Sequence, residues 1–66
     1  MVYEIRLKGR AERTVAAAFD EFTVSTGAAD TTLRCDIVDQ PALFGVLHRI
    51  ESLGLVLLEL RAVDVR

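Results

Sequence analysis

The 66-residue sequence contains one cysteine, one histidine, one proline, one tyrosine, and neither tryptophan nor asparagine. One cysteine excludes an internal disulfide and any Cys-x-x-Cys loop. One histidine beside it excludes a dense His/Cys zinc site, so no metal centre is expected. No multi-glycine phosphate loop occurs, and no cofactor is expected. No stretch approaches the 18 or more apolar residues of a membrane-spanning helix. Basic charge is not in surplus either: Lys and Arg number 8 against 10 Asp and Glu, a net charge of -2, with pI ≈ 5.2. That balance argues against nucleic acid or an anionic membrane as partner. Glu4, Arg6 and Lys8 fall where the apolar part of a signal peptide would lie, so none is expected. The single thiol then reads as that of a reducing, cytoplasmic setting.

What the chain has in excess is apolar surface. The apolar fraction is 52% and mean hydropathy is +0.33, in only 7.3 kDa. So short a chain buries a small share of its surface, and with no disulfide or metal to staple it, self-association is the expected remedy. One domain spanning 1–66 is expected.

Residues 3–8 alternate, with Tyr3, Ile5 and Leu7 on one side and Glu4, Arg6 and Lys8 on the other, which predicts a half-buried strand. Gly9 breaks it. Val15, Ala18, Phe19 and Phe22 then recur at helical spacing, predicting a helix within Ala11 to Phe22 without an evident cap. Thr23–Thr26 and Thr31–Val38, joined by Gly27-Ala28-Ala29-Asp30, predict a hairpin in which Thr31, Leu33, Cys35 and Ile37 share a face. Asp39 before Gln40-Pro41 predicts an N-cap with proline in the first turn. Leu43, Val46, Leu47, Ile50 and Leu53 form the stripe of a second helix, and Gly54 ends it. Leu55 to Val65 is the last expected strand, with Val56, Leu58, Leu60 and Ala62 facing the core and Leu57, Glu59, Arg61 and Val63 facing away. The order β-α-β-β-α-β with right-handed crossovers predicts an α+β, ferredoxin-like two-layer sandwich: four antiparallel strands with two helices on one face.

The run IVDQPALFGVLHRIESLGLVLLEL resembles the strand-turn-helix-strand signature of ACT-type regulatory domains. Asp39, Pro41, Leu43, Val46, Ile50, Leu53 and Gly54 sit where that pattern places its residues. Ala42 stands where the family has a glycine that admits ligand to the backbone, and the segment lies in the second β-α-β half rather than the first. The resemblance therefore implies the architecture and side-by-side dimerisation, and does not imply an amino-acid site. The whole chain also resembles small stand-alone proteins of high-GC bacteria, a likeness that carries no function.

Four places invite chemistry. Gly9, Arg10 and Arg13, with Lys8, precede the first helix, where amides and two guanidinium groups are a candidate site for a small anion such as phosphate or carboxylate; the competing reading is a solvated basic turn paired with Glu12 or Glu4. His48, at i+4 from Phe44 and i−3 from Glu51, has the chemistry of a general base or pH sensor. Cys35 reads as a buried packing thiol. Asp36, Asp39 and Glu51 are possible cation ligands, with Asp39 better explained as a cap. Fold-mates are excluded by missing residues: acylphosphatase-like catalysis needs an asparagine on the hairpin, and RNA-recognition domains need aromatics on the open face, where this chain has Glu4, Arg6, Lys8, Thr32, Arg34 and Asp36. Leu57, Val63 and Val65 beside Glu59 and Arg61 would leave apolar residues on that face, predicting a homodimer through the open face or the last strand. The expected function is a non-enzymatic binding or assembly module, dimeric, that senses a small ligand or docks a protein. Its rival is a small-molecule enzyme with a site between subunits, using Arg10, Arg13 or His48.

Overall fold

A computed structural model describes residues 1–63, so the expected placement of Val65 lies outside the described residues. The chain runs β1 (Val2–Lys8), α1 (Glu12–Ala18), β2 (Thr23–Thr26), β3 (Asp30–Asp36), α2 (Gln40–Ser52), β4 (Leu57–Val63). The sheet order is β2-β3-β1-β4, and every neighbouring pair is antiparallel. The α+β ferredoxin-like sandwich expected from the patterning is what forms: each β-α-β crossover straddles a strand belonging to the other half.

Alternation along β1 and β3 sets the core. Ile5 and Leu7 from β1 and Leu33 and Cys35 from β3 are buried against Val15 of α1, Phe19 just beyond its end, and Leu43, Val46 and Ile50 of α2. The cap of α2 forms as expected. The Ala42 amide donates to Asp39 Oδ1 at 2.9 Å, with Pro41 in the first turn. At the far end Gly54 takes φ +74° and donates to the Glu51 carbonyl, a backbone state that glycine enters without strain.

Two expectations need correction. The first helix stops at Ala18 rather than Phe22. Phe19 leaves the helical region (φ −130°, ψ 57°), and its carbonyl accepts from the Phe22 amide at 3.1 Å. That turn lets both rings, with centroids 6.2 Å apart, pack inward. Continuing the helix would carry the intervening acidic residues Asp20 and Glu21 round with it.

The second correction concerns β4. None of its residues is buried, although Leu58 and Leu60 were expected in the core. The helices cover β1 and β3 and leave the edge strand bare, so Leu58 is 47% and Leu60 38% exposed. Leu57 also changes side. The β1–β4 register shifts between Arg6 and Leu7 so that Leu57 lies opposite the buried Leu7. Paired residues point to the same face, hence Leu57 belongs to the helix side rather than the open face. Glu59 and Arg61, opposite Arg6 and Glu4, and Val63, opposite Val2, do lie on the open face as expected.

The two helices are tied by Arg49. Its guanidinium lies 4.3 Å from the Phe19 ring centroid and donates to the carbonyl of Ala18, the last residue of α1. A cation at that end offsets the unpaired carbonyls of the helix terminus. The ion pair with Glu21 at 3.4 Å is exposed on both sides and contributes little. Arg49→Met, which keeps the apolar stem, is expected to lower unfolding stability by about 1–2 kcal/mol. Glu21→Gln is expected to change it by less than about 0.5 kcal/mol. Chemical denaturation of the two variants side by side separates the ring and carbonyl contacts from the ion pair.

Candidate functional site

The first expected site is a basic concavity of about 470 Å³ at the start of α1, lined by Arg10, Ala11, Glu12, Arg13, Thr14 and Thr26. Arg10 and Arg13 are both exposed and share this wall. Gly9 is held differently. At φ +88° it donates to the Ala29 carbonyl at 3.0 Å, and its own carbonyl accepts from Thr31 Oγ1 at 2.8 Å. Thr31 Oγ1 in turn accepts from the Ala11 amide at 3.0 Å. The amides of Gly9 and Ala11 are therefore committed to the loop, and Gly9 serves to turn it. The Glu12 carboxylate also stands in the wall beside the two arginines.

His48 is exposed on α2 and takes no part in that concavity. The structure thus places Arg10 and Arg13 on one concavity and His48 elsewhere on the same chain. Cys35 is buried, and its thiol donates to the Tyr3 carbonyl across 3.7 Å. Burial pushes this thiol above its ordinary pKa, with Asp36 adding to the effect, which opposes the thiolate a nucleophile needs. Among the described residues no group of three His, Cys, Asp or Glu side chains is placed to hold a metal ion, so Asp36, Asp39 and Glu51 do not form a cation site. No helix among the described residues is long and apolar enough to cross a membrane.

The open face carries two rows of charge. In one, Glu4 lies between Arg34 and Arg61, with Arg34 Nη1 donating to Glu4 Oε2 at 3.1 Å and Arg61 Nη2 donating to Oε1. In the other, Arg6 lies between Asp30 at 3.6 Å and Glu59 at 3.9 Å. The Arg61 hydrogen bond, helped by the charges of Arg61 and Arg34 and opposed by desolvation, lowers the Glu4 pKa. The same pairing raises that of Arg61. A lowered carboxyl pKa favours the folded state above the ordinary carboxylate range, and that contribution fades as pH falls through it.

A second departure from a closed surface lies on the other side of the sheet, at its β4 edge. Leu57, Leu58 and Leu60 are joined there by Val56, 54% exposed, and Leu53, 40% exposed. Between α2 and the start of β4 a groove of about 310 Å³ is lined by Leu47, Ile50, Glu51, Leu55 and Leu57. Sequence patterning named the apolar residues of the last strand but assigned them to the wrong surroundings. Arg49 and Thr31 were not singled out as structural clasps, because their partners are 31 and 20 or more residues away in the chain.

Neither the curated proteins nor the solved structures include a match to this chain. A family match spans residues 2–61, nearly the whole sheet and both helices, and the chain accordingly belongs to the family described as Domain of unknown function (DUF8691).

Proposed function

We propose that this protein is a small non-enzymatic assembly module that works as a homodimer, with the β4 edge and the adjoining end of α2 as its contact surface. One observation carries the reading: a seven-residue strand without a single buried residue, displaying three leucines beside Val56 and Leu53. Clustered apolar residues at a sheet edge mark an interface in small soluble domains, and burying them supplies the apolar area that a chain of this length lacks. A single cysteine, Cys35, buried in the core, fits a cytoplasmic setting. The Arg10–Arg13 concavity is an accessory place for a small anion or an acidic protein segment rather than a reaction centre, because Glu12 sits in the same wall and His48 stands apart.

Sedimentation velocity across micromolar concentrations tests this reading. The expected result is a species of twice 7.3 kDa that dissociates on dilution. Leu58→Glu, placed at a half-exposed position, is expected to sediment as a folded monomer. A wild-type chain that stays monomeric throughout the range overturns the reading.

A further inference from the structure

We infer that two copies join by antiparallel pairing of β4 with β4 about a two-fold axis through Leu60, forming one continuous eight-stranded sheet. The inference rests on the homodimer reading above and adds the partner strand and its register.

The backbone of β4 is prepared for this. Lys8 donates its amide to the Val56 carbonyl at 2.9 Å, whereas Gly9 donates to Ala29 on the β3 side. Even-numbered residues of β1 therefore turn their backbone groups toward β4. Their partners Glu59, Arg61 and Val63 are bonded inward. Leu58, Leu60 and Ala62 present their N–H and C=O groups at the free edge. β4 is the outermost strand, so among the described residues that edge has no strand beside it. The opposite edge, β2, is four residues of mostly hydroxyl-bearing side chains, Thr23-Val24-Ser25-Thr26, a shorter and more polar template.

Charge selects the register. Pairing about Leu60 sets Glu59 opposite Arg61 of the second copy, twice by symmetry, with Leu58 opposite Ala62 and Leu60 opposite itself. Pairing about Glu59 sets that carboxylate against its own copy, and pairing about Arg61 does the same with the guanidinium. A slip by one residue in either direction puts each charge opposite an apolar residue and turns the helix layers to opposite faces. Only the Leu60 axis also continues the rows on the open face. Arg34, Glu4 and Arg61 of one copy run on into Glu59, Arg6 and Asp30 of the other, with the sign alternating at every step. Cross-strand ion pairs at an exposed face are individually small and screened by salt, so they choose the register. Affinity comes from the helix side. There Leu58 and Leu60 of both copies meet in the space between the two α2 helices, over the groove lined by Leu47 and Leu57.

The test exploits the symmetry. Glu59→Arg alone and Arg61→Glu alone each place like charges opposite one another twice, and each is expected to weaken self-association by roughly tenfold to a hundredfold in sedimentation at low salt. An equimolar mixture of the two variants restores opposite charges at both places and is expected to form a heterodimer close to wild-type affinity. A misfolded variant cannot be rescued in this way. As a second readout, a mixture of Glu59→Cys and Arg61→Cys chains is expected to form a disulfide-linked dimer under mild oxidation, each chain alone forming little, because non-hydrogen-bonded antiparallel pairs bring their Cα atoms within disulfide range. The native Cys35 is buried and stays out of the reaction. A wild-type dimer that ignores both charge variants and yields no mixed disulfide overturns the Leu60 register while leaving the assembly reading intact. A wild-type monomer overturns both.

Discussion

Phe19→Ala is expected to cost about 3–5 kcal/mol of unfolding stability, enough to leave a domain of this size largely unfolded at room temperature. Phe19 is completely buried and is the largest of the fully buried side chains. Its ring packs on Phe22, receives the Arg49 guanidinium on its face, and sits at the point where α1 ends. Truncation removes the transfer energy of the ring, leaves a cavity, and takes away the platform on which Arg49 reaches the carbonyl of Ala18. Phe44→Ala is the matched control. It deletes the same ring from α2, but at 59% exposure the expected loss is below about 1 kcal/mol. Urea titration followed by circular dichroism reads both. Similar losses for the two variants would show that Phe19 does not anchor the core.

Thr31→Val is expected to destabilise the protein by about 2–4 kcal/mol, although the two side chains have nearly the same volume. The Thr31 hydroxyl is buried and sits between two loop groups, accepting from the Ala11 amide and donating to the Gly9 carbonyl. A methyl in its place strands one donor and one acceptor, and leaving a buried polar group unpaired costs more than a hydrogen bond contributes when made. The loop so loosened carries Arg10 and leads into Arg13, so the basic concavity should lose definition along with stability. Amide hydrogen exchange makes the mechanism visible: protection at Ala11 is expected to fall in Thr31→Val by more than global unfolding accounts for. Unchanged protection at Ala11 and a loss below about 0.5 kcal/mol would contradict the clasp.

These residues mark how much was legible beforehand. The alternation of Ile5 and Leu7 against Glu4 and Arg6, and of Leu33 and Cys35 against Arg34 and Asp36, specified two strands and their inward faces. Asp39 with Pro41 and Gly54 delimited α2. Such signals are local, since they depend on backbone dihedrals and on neighbours within one turn or one pleat. That Arg10 and Arg13 line one concavity follows from the same short-range spacing. The Arg49–Phe19 contact and the Thr31 clasp were not, because each joins groups distant in sequence through an exposed cation or a single hydroxyl that leaves no periodic trace.

The fate of β4 shows the division most plainly. Its leucines, its alternating Glu59 and Arg61, and its place at the end of a β-α-β-β-α-β order were determined by the amino-acid sequence alone. Whether anything lies over those leucines was decided only in three dimensions. Hydrophobic period tells which side of an element is apolar, but not whether a helix reaches far enough to cover it. Here α2 settles over β1 and β3, and a one-residue register shift carries Leu57 to the helix side. The surface left uncovered is a property of how the layers meet, and the contact proposed for a second copy lies there.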